Sequence, residues 1–128
     1  MANSPIDLAR KFQSRAYAPY SKFQVGAVLV TPDGQTFGGA NVENASYGLA
    51  ICAERSAAVS AVSAGCREFT DVYVAGPENV SVTPCGACRQ FLSEFNPRMR
   101  VHCTTPDGTV STTLDALLPG AFGPHDLT

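Results

Sequence analysis

The chain has 128 residues, the usual length of one domain, and 45% of them are hydrophobic, which is enough for a compact core. The formal net charge is −2 and the nine lysines and arginines are scattered, so the basic patch that binds nucleic-acid phosphates is missing. Apolar runs such as Val25–Val30 are far shorter than the ~20 residues that span a bilayer. Since residues 1–12 also lack a signal-like apolar stretch, we expect a single domain over 1–128 in the cytoplasm, with neither nucleic acid nor membrane as partner.

Turn residues and hydrophobic periodicity predict helices interspersed with strands. The predicted elements are a helix that begins at Ser4-Pro5 and ends before Pro19, strands over 23–31 and 35–40 joined by a Pro-Asp-Gly turn, a structured loop over 41–51, a helix over 52–64, a strand over 69–75, a loop over 76–84, a helix from Cys85, strands over 100–104 and 109–112, and a short C-terminal helix. The helix over 52–64 has Ala and Val on almost every side, so we expect it to be buried. This order of elements predicts an α/β fold, a three-layer α/β/α sandwich with five strands.

The strongest chemical signal is Pro84-Cys85-Gly86-Ala87-Cys88, a C-x-x-C motif at the start of a predicted helix. This spacing lets two thiolates face one ion within a single turn, and a helix N-terminus lowers thiol pKa. Alone, the motif also fits redox dithiols and zinc ribbons. Cys52, at the start of another predicted helix, offers a third thiolate. Structural zinc usually takes four protein ligands, whereas catalytic zinc takes three and leaves a position for water.

A fourth protein ligand is hard to find among the remaining candidates. Cys66 lies 14 residues beyond Cys52, past the end of the same predicted helix and so roughly 20 Å away at ~1.5 Å per residue. Cys103 is expected in the core, and His102 is expected to be a strand residue with a solvent or structural partner. The sequence therefore predicts an open site with one zinc ion per chain.

Two residues next to Cys52 have predicted roles. Glu54 can hydrogen-bond a metal-activated water and move its protons, although an acidic residue in the first turn of a helix is also ordinary. Three thiolates and Zn²⁺ carry a net charge of −1, so an Arg55 guanidinium donating to the sulfurs would restore the ion's Lewis acidity. The alternative for Arg55 is a solvated helix charge.

At these residues the chain resembles the cytidine deaminase family over almost its whole length. The family signature is His or Cys followed by x-Glu, then Pro-Cys-x-x-Cys. Here it reads Cys52-x-Glu54 and Pro84-Cys85-x-x-Cys88. The flanking motifs that carry the resemblance are Pro19-Tyr20-Ser21-x-Phe23-x-Val25-Gly26-Ala27, Asn41-Val42-Glu43-Asn44-Ala45-Ser46-Tyr47-Gly48, Ile51-Cys52-Ala53-Glu54-Arg55 and Leu117-Leu118-Pro119-x-Ala121-Phe122-Gly123. Together they are similar to the short, three-cysteine, homotetrameric branch.

The resemblance implies hydrolytic deamination of cytidine and 2′-deoxycytidine as free nucleosides, in pyrimidine salvage, with Glu54 moving protons to N3 of cytosine and to the departing ammonia. It also implies a mixed sheet and a homotetramer whose active sites are shared between subunits. The implied substrate residues are Asn41 and Glu43 at the ribose, Phe23 against the base, Ala53, and Phe122 from a neighbouring subunit. Tyr47 is implied near the subunit contacts. The alternative reading of Asn41 and Glu43 is that they merely hold their loop.

Three other functions fit parts of the pattern. A deaminase of a cytosine-containing antibiotic such as blasticidin S would share the zinc site but differ around Glu43 and the C-terminal tail. A structural zinc module would need a fourth protein ligand and would leave Glu54 without a purpose. A dithiol redox protein would leave both Cys52 and Glu54 unexplained.

Overall fold

The computed structural model describes residues 4–127. The helices and strands are α1 (Pro5–Gln13), β1 (Gly26–Val30), β2 (Thr36–Ala40), α2 (Ala53–Ser63), β3 (Asp71–Ala75), α3 (Gly86–Ser93), β4 (Arg100–Thr105), β5 (Gly108–Thr113) and α4 (Leu114–Leu117). Short 3-10 helices occupy Tyr47–Leu49 and Pro124–Leu127. No helix in this part of the chain is long and apolar enough to cross a membrane.

The five strands form one mixed sheet in the order β2-β1-β3-β4-β5. β1 pairs antiparallel with β2 and with β3, and β4 pairs antiparallel with β5. β3 and β4 are parallel, with Val72 opposite Val101, and α3 lies between them in the chain. A parallel pair needs such a crossover connection, so this unit carries the C-x-x-C segment from one central strand to the next.

Alternation along the strands gives the sheet two apolar faces. Ala27 and Leu29 of β1 belong to the larger core, which packs against α2, α3 and α4. Val28 and Val30 point to the opposite face, where they pack with α1. The predicted three-layer α/β/α sandwich with a mixed five-stranded sheet is therefore confirmed.

The helix α2 packs closely against β2. A Cβ atom added at Gly39 would lie 2.4 Å from the backbone nitrogen of Ala57, so glycine is needed for this approach. The alanines of α2 face the sheet and are fully buried, but Val59 on the opposite side is 50% exposed. The expectation that α2 is buried on nearly every side was therefore wrong, because the helix covers the sheet as an outer layer.

The first three strands begin later than predicted, whereas β4 and β5 are slightly longer than the predicted 100–104 and 109–112. β1 begins at Gly26 rather than at residue 23, since the Phe23 carbonyl and the Val25 N–H bond to the Asn41 side chain instead of to a neighbouring strand. The start of α1 agrees with the sequence, because the Ser4 hydroxyl accepts a hydrogen bond from the Asp7 N–H at 3.2 Å.

Candidate active site

The N-termini of α2 and α3 bring three cysteine thiols together. Cys52 is the residue that caps α2 and Cys85 the one that caps α3, while Cys88 follows in the first turn of α3. The Sγ atoms of Cys52 and Cys85 are 3.7 Å apart, and the three sulfurs all lie within 4.8 Å of one another. Tetrahedral zinc with Zn–S bonds of about 2.3 Å separates its sulfurs by about 3.8 Å. The donor set therefore fits zinc in both chemistry and spacing.

Hydrogen bonding makes one of these thiols much more acidic than another. The Cys88 thiol donates to Cys52, and together with Arg55 this lowers the pKa of Cys52 to about 5 despite its partial burial. The same bond, together with burial, raises the pKa of Cys88. Cys52 therefore ionises more readily than Cys88, and thiolate is the form that binds metal.

Arg55 lies against this cluster. One of its terminal guanidinium nitrogens is 3.7 Å from the Cys52 sulfur, and the contact raises the pKa of Arg55 further. Its Nε is buried with no hydrogen-bond partner within residues 4–127. The side chain is therefore not a solvated helix charge; its positive charge is directed at a sulfur.

Glu54 is the buried carboxyl group of the site. It follows Cys52 in the first turn of α2, and only 4% of the residue is exposed. Burial raises the pKa of Glu54 to about 7, because a charged carboxylate loses its hydration there. The negative charge of Cys52 acts in the same direction, and Arg55 opposes it. A carboxyl group with a pKa near neutrality can both accept and return a proton.

A cavity of about 370 Å³ opens in front of these groups. Its lining consists of Ser21, Phe23, Val25, Asn41, Glu43, Cys52, Ala53, Glu54, Val74, Ser81, Val82, Thr83 and Cys85. The size is that of a small-molecule site, with apolar walls and a few polar groups. Of the residues predicted at the site, it brings together Phe23, Asn41, Glu43, Ala53 and Glu54 beside the thiols.

Asn41 and Glu43 both bond to the segment that carries Phe23. The Asn41 side chain accepts from the Val25 N–H and donates to the Phe23 carbonyl, each at 2.8 Å. The Glu43 carboxylate accepts from two backbone N–H groups, of Tyr20 and Ser21, and from the Ser21 hydroxyl. These bonds lower the pKa of Glu43, the Ser21 hydroxyl most of all. The loop-holding role that the sequence left open is therefore real, and it does not use every hydrogen-bonding position of either side chain.

Two predicted residues lie neither in the cavity nor against the thiol cluster. Tyr47 is 78% exposed and packs edge-on against Tyr20 at a ring-centroid distance of 6.2 Å. Phe122 is 58% exposed and lines a separate surface depression with Pro97 and His125. Phe122 does not line this chain's own cavity, and its role at a neighbouring subunit stays a prediction.

Sequence reasoning missed several residues of the cavity. Ser21 was quoted within a motif, but its bond to Glu43 joins positions 22 residues apart. Ser81, Val82 and Thr83 line the cavity from the loop before Cys85, which has no periodic pattern to identify it. Cys103 is buried in the core as expected, and burial raises its pKa to about 12.

Similarity to known proteins extends over nearly the whole chain. Residues 2–104 match the family model described as the cytidine and deoxycytidylate deaminase zinc-binding region. A probable cytidine deaminase of Dictyostelium discoideum is 48% identical over 95% of this chain and 84% of its own. A cytidine deaminase of Sporosarcina psychrophila is 46% identical, covering 94% of this chain and 90% of its own.

A crystal structure of cytidine deaminase from Burkholderia pseudomallei superposes with a TM-score of 0.87 at 48% identity, covering 92% of this chain and 96% of that one. The match in sequence, in fold and in a three-thiol group suited to zinc points to one conclusion. The chain belongs to the cytidine and deoxycytidylate deaminase family, whose members are zinc-dependent hydrolytic deaminases.

Proposed function

We propose that this protein hydrolyses cytidine and 2′-deoxycytidine to uridine and 2′-deoxyuridine, releasing ammonia. The observation that carries the proposal is the placement of Glu54, buried beside the three thiols and facing a cavity of nucleoside size. The named relatives add to it, because each is a cytidine deaminase or a probable one.

Cys52, Cys85 and Cys88 are the residues that would hold the zinc ion. When bound there, zinc supplies a Lewis acid that makes water nucleophilic at neutral pH. Glu54 accepts a proton from the attacking water and donates it to N3 of the cytosine ring. It then accepts the second proton of that water, from the oxygen now bonded to C4, and delivers it to the departing amine, so that cytidine and water become uridine and ammonia. Its raised pKa, near 7, suits both the accepting and the donating step.

The polar residues at the other side of the cavity suit a sugar. Asn41 and Glu43 retain hydrogen-bonding capacity that matches a ribose hydroxyl, which both donates and accepts. Phe23, held by Asn41, offers an aromatic face for the base. The ionised Glu43 would repel a phosphate at the same place, so the proposal is limited to free nucleosides.

A homotetramer with shared active sites is part of the same proposal. Large apolar side chains lie exposed near the cavity and in the C-terminal segment, and a second copy of the chain would cover them. They include Tyr20, Phe23, Tyr47, Leu49, Ile51 and Phe122. We also propose a cytoplasmic location, because the five cysteines are all free thiols, as in a reducing compartment.

The direct test is the ultraviolet difference spectrum of cytidine with the purified protein, before and after zinc is stripped with a chelator. Conversion to uridine that disappears on stripping and returns with added zinc is the expected result. Absence of conversion by protein that retains one zinc per chain would overturn the proposed substrate. The antibiotic deaminase alternative is not favoured, because the matching relatives are cytidine deaminases; parallel assays with blasticidin S would test it.

A further inference from the structure

The side chain of Arg89, in α3, bonds to two other parts of the chain, the loop before Cys85 and the end of α4. Its Nε donates to the Pro84 carbonyl at 2.8 Å and one terminal nitrogen donates to the Leu117 carbonyl at 2.9 Å. The other terminal nitrogen donates to the Thr83 hydroxyl at 3.2 Å. A guanidinium group is a rigid planar fork, so these three bonds hold their acceptors in one mutual arrangement.

Two of the acceptors belong to the loop that leads into the metal cluster. The Pro84 carbonyl is part of the peptide that joins Pro84 to Cys85, so the bond from Arg89 holds the plane of that peptide. The orientation of this peptide directs the Cys85 side chain, which lies 3.7 Å, sulfur to sulfur, from Cys52. Thr83, the other acceptor, lines the cavity itself.

The third acceptor belongs to the C-terminal segment. Leu117 ends α4, and its carbonyl is one that a helix terminus leaves without an intrahelical partner. The next residue of α3, Gln90, donates from its side-chain amide to the Phe122 carbonyl at 2.8 Å. Arg89 therefore connects the loop before Cys85 to the end of α4, while Gln90 connects α3 to the backbone at Phe122.

We propose that Arg89 is a positioning residue for the zinc site, which holds the 83–85 loop so that Cys85 is presented to the ion in its ligating orientation. It touches none of the reacting groups; it acts through the Pro84–Cys85 peptide and through Thr83. The proposal rests on the proposed function only in that the three thiols bind zinc. Residues that orient metal ligands in this way typically contribute 10–100-fold to metal affinity or activity.

The experiment compares zinc-loaded wild-type protein with R89A and R89K by mixing each with excess chromophoric chelator and following the release of zinc. We expect release to be about tenfold or more faster in R89A. R89K should fall between R89A and the wild type, because an ammonium group lacks the planar fork that bonds all three acceptors. Circular dichroism of the loaded proteins checks that they are folded.

The matched control is Q90A, on the neighbouring residue of the same helix. It removes the bond to the Phe122 carbonyl and leaves the three bonds of Arg89, so its zinc release should equal that of the wild type. Equal acceleration in Q90A and R89A would show general loosening of α3 and overturn the proposal. Zinc release from R89A at the wild-type rate would also overturn the proposal. If R89A does not fold, release from R89K at the wild-type rate would do the same. Zinc release needs no turnover, so a wild type that holds zinc but leaves cytidine unchanged would count against the proposed function alone.

Discussion

Two acidic residues expose almost equally little of their surface in this protein, but the pKa values of their carboxyl groups shift in opposite directions. Glu54 at the start of α2 is 4% exposed, and Asp71 at the start of β3 is 7% exposed. Burial raises the pKa of Glu54 to about 7. The pKa of Asp71 is lowered, first by the hydrogen bonds from Arg100. Burial alone therefore does not decide the charge of a carboxyl group; the partners that the fold places around it do.

The surroundings of Asp71 satisfy its charge on every side. Arg100 donates to both of its carboxylate oxygens at 2.8 and 2.9 Å, and His102 lies 2.7 Å from one of them. The other ring nitrogen of His102 is 2.7 Å from the Ser111 hydroxyl, and Tyr73 stacks on the ring. The expected structural role of His102 is confirmed. We infer that this network stabilises the sheet. The burial of Glu54, by contrast, suits its proposed role in proton transfer and lowers the stability of the fold.

The largest expected effect is that of Glu54→Gln on turnover. The amide cannot accept and return the proton, so kcat should fall by about 10²–10⁴-fold, which is about 3–5 kcal/mol of barrier. The free energy of unfolding at pH 7 should be unchanged or higher, because a neutral amide avoids the penalty of burying a carboxylate. Cytidine turnover and chemical denaturation measure the two quantities, with zinc content as the control. Full activity in zinc-loaded E54Q would remove Glu54 from the mechanism.

A second test is Asp71→Asn, which should affect stability and leave kcat unchanged. Loss of the anion that accepts from Arg100 and His102 should lower the free energy of unfolding by about 1–3 kcal/mol at pH 7. We expect a loss at the lower end of this range, because the Arg100 side chain is 63% exposed and solvent partly screens its attraction to Asp71.

The pH dependence of the same pair of proteins sharpens the test. In the folded protein the pKa of Asp71 lies below its ordinary value of 3.8. Its contribution to the free energy of unfolding is therefore present above pH 3.8 and is lost progressively as the pH falls below that value. The advantage of the wild type over D71N in the free energy of unfolding should therefore shrink as the pH falls below about 4. Urea denaturation at several pH values measures it. An advantage that persists undiminished at pH 3 would contradict the assignment.

The smallest expected effect is that of Ser111→Ala. Removing the hydroxyl that bonds His102 should lower the free energy of unfolding by about 1 kcal/mol. Deamination should be unaffected, because Ser111 lies in β5 and does not line the active-site cavity. A thermal melt and a cytidine assay on the same preparation suffice. A clear loss of kcat without loss of stability would show that the Asp71 network takes part in catalysis and not only in stability.

Much of the candidate site could be predicted because its information is local. The C-x-x-C spacing, the placement of Cys52 and Glu54 two residues apart and the caps of α2 and α3 are set within one helical turn. Phe23, Asn41 and Glu43 were reached by resemblance, and their contact with the same cavity was not derivable from spacing. The three hydrogen bonds of the Arg89 side chain were not predicted, since their acceptors lie 5, 6 and 28 residues away in the chain.

The sequence by itself determined the order of elements, the two-faced sheet and the three thiols suited to zinc, because periodicity, turn residues and ligand chemistry act over short stretches of chain. The tertiary structure decided how deeply Glu54 is buried, that the Cys52 thiol is more acidic than that of Cys88, and that Asn41 and Glu43 hold the Phe23 loop. These properties depend on desolvation and on hydrogen bonds between distant segments. Neither can be assigned until the chain has folded and brought those segments together.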